Sequence, residues 1–313
     1  MQTIYLTHPV DLRVCDREIA LAIGYFDGVH LGHQAVIQEA KKLARELGVT
    51  SAVMTFDPHP REVLGKANIN RYLTPLPEKL AQFAKLGVER TYVMKFDLPF
   101  SSLSKEEFIH HVLIPLKVKG VTTGFNFKFG RSASGTTTDL YQLGEGLFQT
   151  RVVEPIHTEG VAVSSTRLRE AIAEGNIELA KRILGRNYMI EGKVVSGDQR
   201  GRLMGFPTAN IELEEAFLTP RRGVYVVQVQ IGNDWKPGIM NIGVRPTFSD
   251  PVPKERLEVH ILHFSGNLYG QRLKIEFLHF IREEKKFSSV DALISQIHTD
   301  QVAAERWLAS TVE

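Results

Sequence analysis

GYFDGVHLGH, Gly24 to His33, decides the reading of the first half of this chain, because an apolar run, Leu21 to Phe26, ends there in a glycine-rich turn and a helical pattern begins. The first amides of a helix have no intrahelical partner, and the helix dipole adds partial positive charge at that end, so an anion is stabilised there. Gly28 and Gly32 lack a Cβ, which predicts a sharp turn with backbone close to a ligand. His30 and His33 lie three apart, which sets both rings on one face of the opening turn, aimed at the same ligand. A zinc site with His59 as third ligand is the rival reading. It is weak, since Cys15 is the only cysteine and no HExxH pattern occurs.

Working outward, strand-like runs alternate with helical patterns as far as Gly185. Ser51 to Phe56, Thr91 to Phe96, Gly120 to Gly124 and Phe148 to Val153 read as further strands. Val36, Ala40, Leu43, Ala44 and Leu47 recur at helical spacing before Gly48, as do Leu80, Phe83 and Ala84 before Gly87. Ser104 with Glu107 is a capping box, and Ser165 opens a helix through Leu168 and Ile172. Such alternation predicts a parallel sheet covered by helices, with ligands at the carboxyl ends of the strands.

After Asn187 the period changes to two. Tyr225, Val227, Val229 and Ile231 alternate with Val226, Gln228 and Gln230, and Leu273, Ile275 and Phe277 with Arg272, Lys274 and Glu276. About six short antiparallel strands of this kind close into a small barrel. Ser288 to Ala309 reads as one or two closing helices, with Leu293, Ile297 and Trp307 as core contacts. The boundary between the halves is expected near Gly185 to Tyr188, giving domains 1–185 and 186–313.

Composition is that of a globular protein, 43% hydrophobic and 24% charged over 313 residues. A formal net charge of +2 with signs interspersed gives no broad field for nucleic acid. No apolar run is long enough for a membrane span, and a lone cysteine excludes a disulfide framework, so a cytosolic protein without membrane anchor is expected. Association into a homo-oligomer is left open.

Three more segments belong with the HxGH turn. TFDPHP, Thr55 to Pro60, follows the second strand, where two prolines hold His59 at the ligand edge. GFNFKFG, Gly124 to Gly130, follows the fourth and carries Asn126. SSTRLR, Ser164 to Arg169, offers hydroxyls and arginines suited to polyphosphate. Taken singly, these are also an aromatic core and a capped surface helix. Together they resemble the nucleotidyltransferase superfamily, specifically the adenylyltransferase half of the prokaryotic bifunctional riboflavin kinase/FAD synthetase family.

The second half is similar to the flavokinase module of that family through GFPTAN (Gly205 to Asn210), RRGVY (Arg221 to Tyr225), NIGVRPTF (Asn241 to Phe248), LEVHIL (Leu257 to Leu262) and LYG (Leu268 to Gly270). The resemblance covers practically the whole chain, and it implies a Rossmann-like nucleotidyltransferase domain followed by an antiparallel β-barrel with a closing helix. It implies two reactions, phosphorylation of riboflavin to FMN by ATP and adenylylation of FMN by a second ATP to FAD and pyrophosphate. On the matching positions, Glu258 is the kinase base, Thr208 and Asn210 the Mg²⁺ ligands, and Gly205, Pro207 and Arg202 contacts of the nucleotide. His30 and His33 match the phosphate-binding pair, with Gly24, Phe26, Asp27, Gly28 and Gly32 around them. Ser164, Thr166 and Arg167 match a second phosphate-binding segment, Asn126 and Asp27 are expected substrate contacts, and His59 is expected near the flavin phosphate or the metal.

Two rivals stay open at this stage. HLGH resembles the HIGH turn of class I aminoacyl-tRNA synthetases, which would require a KMSKS-like loop where the chain has SSTRLR. A flavin-binding protein without turnover would have lost Glu258, Asn210 or one of the histidines, and all are present.

Overall fold

The computed structural model describes residues 1–14, 16–65, 70–197, 205–245 and 254–310. Two compact units are present, Met1–Ser165 and Thr166–Glu313.

In the first unit six parallel strands form one sheet: β1 (Gln2–Leu6), β2 (Ile19–Ile23), β3 (Thr50–Asp57), β4 (Arg90–Lys95), β5 (Val118–Gly124) and β6 (Gln149–Val153), in the order β1-β4-β3-β2-β5-β6. All five residues of β2 are buried, as a central parallel strand covered on both faces requires. Four of the five sequence-predicted strands appear within a residue or two of their expected bounds. The first ends earlier than expected, at Ile23, because Phe26 has φ 56° and cannot continue an extended strand. Strand β1 was not anticipated. It lies at the sheet edge with only Leu6 fully buried, so its apolar signal is diluted.

Helix α1 (Leu31–Leu47) packs on β2, β3 and β5 through Val36, Ile37, Ala40, Leu43 and Ala44, and Gly48 (φ 67°) ends it as a left-handed cap. Close packing is visible at Gly120, where a Cβ would stand 2.5 Å from Leu43 Cδ2. A second helix, α2 (Leu76–Lys85), buries Phe83 against the same core. The Ser104–Glu107 capping box forms as expected, over a short helix Lys105–Phe108. Chain connections leave β2 toward β3 and leave β5 toward β6, so the crevice outside the carboxyl ends of the adjacent strands β2 and β5 is a topological switch point.

In the second unit the strands Tyr188–Val195 (β9), Ala209–Glu212 (β10), Gly223–Ile231 (β11), Asp234–Arg245 (β12), Lys254–Ile261 (β13) and Arg272–Arg282 (β14) close an antiparallel barrel, β10-β13-β12-β11-β14-β9; β7 and β8 are the two-residue strands of a hairpin at 157–162 in the first unit. Helices α3 (Ser165–Glu174) and α4 (Ile177–Leu184) precede the barrel, and α4 packs on β9 and β14, which is why this stretch clusters with the second unit.

A single helix, α5 (Val290–Ser310), closes it. Trp307 and Ala304 join the core of Val224, Val226, Ile239 and Leu262, whereas Leu293 and Ile297, expected in the core, line a cavity. Among the described residues no helix is long and apolar enough to cross a membrane.

Candidate active sites

The turn from Gly24 to His30 stands at the switch point and is held in an unusual backbone. Phe26 (φ 56°), Gly28 (φ 88°) and Val29 (φ 43°) all occupy the left-handed region, which costs about 1–3 kcal/mol at a non-glycine residue and persists only where surroundings over-determine it. The surroundings here are specific. Thr74 Oγ1 accepts the Gly28 amide at 2.8 Å, the Thr74 amide donates to Asp27 Oδ1 at 3.1 Å, and the Ser165 hydroxyl donates to the Asp27 carbonyl at 2.9 Å. Phe26 is buried edge-on to both Phe83 and His33. Asp27 is only 4% exposed. Its Oδ1 therefore braces the turn.

His30 is the N-cap of α1: its Nδ1 accepts the His33 amide at 3.3 Å. A ring nitrogen that accepts carries no proton, so the neutral His30 ring bears its proton on Nε2. The two rings stack with centroids 3.6 Å apart and 17° between planes, the common face expected from their spacing. Gly32 differs from its expected role. It lies inside the first turn of the helix, and its missing Cβ makes room for the His30 ring at 3.2 Å and Val163 at 3.3 Å. Gly24 is likewise required by a neighbour, since a Cβ there would stand 2.9 Å from the Phe26 ring.

At the end of β3, His59 caps the short helix Pro60–Val63 by accepting the Arg61 amide at 3.0 Å, and its ring centroid lies 4.0 Å from that of Tyr25. Among the described residues no group of three or more His, Cys, Asp or Glu could hold a metal ion, which leaves the zinc reading without a ligand set. At the end of β5, Phe127 and Phe129 stack into the core, whereas Phe125 and Asn126 are exposed and the Asn126 amide oxygen comes within 3.6 Å of where a Gly124 Cβ would be. The carboxyl ends of β2, β3 and β5 thus carry the predicted residues. Val163 and Ser165 pack against the turn, with Ser164 between them, while Thr166 and Arg167 lie in the first turn of α3 and open the second unit.

In the barrel, strand β13 separates two cavities. Val259 and Ile261 line one of about 570 Å³ together with Pro207, Thr208 and Tyr269. Arg256, Glu258 and His260, on the opposite face of the strand, line another of about 370 Å³ together with Asn241. Thr208 lines both. Asn210 on β10 and Asn241 on β12 are each the register partner of Glu258, so three polar side chains stand in a row across adjacent strands.

Arg256 spans that row, with Nη2 2.9 Å from Glu258 Oε1 and Nε 3.4 Å from Asn210 Oδ1. His260 Nδ1 donates to the Pro207 carbonyl at 2.8 Å, fixing the loop that carries Thr208, and Phe206 packs edge-on to His260 and His298. Gly205 has φ 84° with open space at its Cβ position, so conformation and not crowding calls for glycine there. Arg202 lies outside the described residues.

Several contributors were missed in the sequence. Thr74 and Arg256 carry no motif of their own, and Ser165, read as a helix start within SSTRLR, also braces the Asp27 carbonyl. Gly197 had a signal only in retrospect: a Cβ there would fall 2.2 Å from Asn210 Nδ2.

The chain matches the family model for FAD synthetase over residues 12–167 and the model for riboflavin kinase over residues 184–308. Among curated proteins it is similar to bifunctional riboflavin kinase/FMN adenylyltransferases from Listeria monocytogenes (42% identical, covering 96% of each chain), Bacillus subtilis (41%, 99% of each) and Escherichia coli K12 (37%, 93% of each). A solved structure described as a macrolide-efflux protein from Streptococcus pneumoniae matches with TM-score 0.89 at 32% identity, covering 98% of this chain and all of that one. A parallel sheet with a glycine-rich turn at its switch point, a six-stranded barrel with a PTAN loop between two cavities, and near full-length identity of about 40% place the chain in the family of bifunctional riboflavin kinase/FMN adenylyltransferases.

Proposed function

We propose that the two reactions are divided at about residue 185, with adenylyl transfer at the Gly24–His33 turn and riboflavin phosphorylation at the Thr208–Glu258 site. The observation that carries the reading is Thr208, shared by two cavities on opposite faces of one strand. Phosphoryl transfer needs a nucleotide and an alcohol to meet end to end, and such a residue stands where they would.

In the barrel the riboflavin 5′-hydroxyl attacks the γ-phosphorus of ATP, Glu258 takes the hydroxyl proton, and ADP leaves. Gly205 and Pro207 belong to the nucleotide side with Thr208. Mg²⁺ fits the donor set of Thr208 and Asn210, because both offer hard neutral oxygens and Asn210 Oδ1 already faces a cation, the Arg256 guanidinium. The metal would neutralise phosphate charge. Asn241, in register with Glu258, adds an amide beside the base.

In the first half a phosphate oxygen of FMN attacks the α-phosphorus of ATP and pyrophosphate leaves. The nucleophile is already an anion, so the protein supplies position and charge stabilisation instead of a base. His30 Nε2–H, His33 and the opening amides of α1 face the phosphates. Ser164, Thr166 and Arg167 are assigned to polyphosphate binding by their match to the family's second phosphate-binding segment, and Asn126 and His59 border the substrates from β5 and β3. Asp27 serves as brace. The lone Cys15 fits a reducing compartment, and we assign the enzyme to the cytoplasm.

Incubation of the purified protein with riboflavin, ATP and Mg²⁺, with FMN and FAD resolved over time, tests the division. FMN should appear first and FAD follow, and supplied FMN should yield FAD without riboflavin. Formation of neither product would overturn the reading.

A further inference from the structure

One ionisable side chain at the ligand edge of the parallel sheet is buried and has no part in the reaction just described. Lys79, on α2, is 2% exposed. Its ammonium stands 3.8 Å from the centroid of the Tyr25 ring, and the His59 ring lies 4.0 Å from that same ring. A cation held over an aromatic face is attracted by the ring quadrupole, the more so where water is excluded.

Among the described residues, several neighbouring segments bring charged or titratable groups to this place. The β2–α1 turn brings Tyr25 and buried Asp27, and the end of β3 brings Asp57, both carboxylates acting on the Lys79 charge. Beyond Tyr25 stands His59. Tyr72, from the segment before α2, feels Asp57 and Asp27 and donates its hydroxyl to Glu62 at 3.0 Å; burial, then Glu62, push its pKa up to about 12. On the lysine's own helix, Glu78 accepts from Gln82 at 2.5 Å. The strand-end loops of β2 and β3 therefore meet over one buried cation, and the segment leading into its helix is tied to the turn a second time through Thr74.

We infer that Lys79 is a positioning residue for adenylyl transfer: its ammonium balances Asp27 and Asp57 and pins Tyr25, so that the phosphate turn and the His59 loop are held as one ligand-facing edge. The inference rests on the reading that this edge takes ATP and FMN. A buried cation must be compensated or it loses its proton, and compensation by carboxylates from two loops fixes both loops relative to it.

The test has a pH signature that a packing role would not produce. Burial lowers the Lys79 pKa from its usual 10.5 to about 8, against the raising effect of Asp27 and Asp57. The ammonium is present below that value and lost above it. FAD formation from supplied FMN should fall as pH rises through about 8, while riboflavin phosphorylation by the same sample should not share that limb.

Lys79→Met should lower kcat for FAD formation by ~10²-fold, the cost of misplacing reacting groups by about 1 Å, and abolish the alkaline limb. Lys79→Arg, which stays charged above pH 12, should retain more activity and move the limb out of range. Should Lys79→Met unfold residues 1–165, seen as loss of amide-exchange protection there, Asp27→Asn in the same chain removes the partner charge and should restore protection without the limb. Wild-type rate and an unchanged alkaline limb in Lys79→Met, or in the double variant, would overturn the inference. His33→Ala measured alongside separates the two failures: if it makes FAD normally, the site itself is misassigned, whereas its loss with Lys79→Met unaffected removes only the role of the lysine.

Discussion

The turn at Gly24–His33 and the polar row of the barrel, the two sites proposed for phosphate chemistry, are built by different means, and the difference explains how each is encoded. In the turn the groups proposed to face the anion come from ten consecutive residues: left-handed backbone at Phe26, Gly28 and Val29, the opening amides of α1, and two stacked imidazoles. In the barrel Asn210, Asn241 and Glu258 arrive from three strands and are adjacent only through register. A local site depends on a strained backbone that its neighbours must hold, so conformation is one of its weak points. An assembled site is held by side chains, so its weak points are single functional groups.

The largest expected effect lies in the barrel. Glu258→Ala should slow FMN formation from riboflavin by ~10²- to 10⁴-fold, the range for a positioned general base, and spare FAD formation from supplied FMN. Loss of both activities would break the comparison by showing that the sites are not independent. His33→Ala is the mirror experiment and should lower FAD formation by ~10²-fold or more with FMN formation intact, the scale of a lost transition-state donor.

Next comes the cost of the barrel's buried ion pair. Arg282 and Asp300 pair through two contacts, 2.8 and 2.7 Å, with side chains 15% and 5% exposed, and they tie α5 to β14 beside the smaller cavity. Arg282→Met leaves a buried carboxylate uncompensated and should destabilise the second unit by about 3–5 kcal/mol in urea unfolding. The smallest effect sharpens the contrast instead of testing it. Gly28→Ala, at φ 88°, should cost about 1–2 kcal/mol in the first unit, read by the same denaturation, with no change in barrel stability.

Much of the first site was legible because its geometry is written in neighbouring residues. Glycine spacing, the His30–His33 interval and the strand before them were enough to anticipate a tight turn between a sheet strand and a helix, and the stacked rings follow from that interval. What could not be read was the division of labour within it. Asp27 braces the turn because Thr74, 47 residues away, donates to it, and Gly32 serves the packing of His30 and Val163 more than a bend. In the barrel, PTAN and Glu258 were legible as residue types, but Arg256 and Gly197 became meaningful only when register brought them against Asn210.

The sequence by itself determined the two periods, and with them a covered parallel sheet followed by an antiparallel barrel, because apolar spacing decides which faces can be buried. It also supplied the candidate residues on which the proposed phosphate chemistry rests. Tertiary structure alone decided where those residues meet: strand order set the switch point between β2 and β5, barrel closure aligned Asn210 and Asn241 with Glu258, and the packing of α2 buried Lys79 beneath Tyr25. The physical reason is that burial and register are set by contacts between segments far apart in the chain, and no local pattern encodes a partner that arrives from another strand.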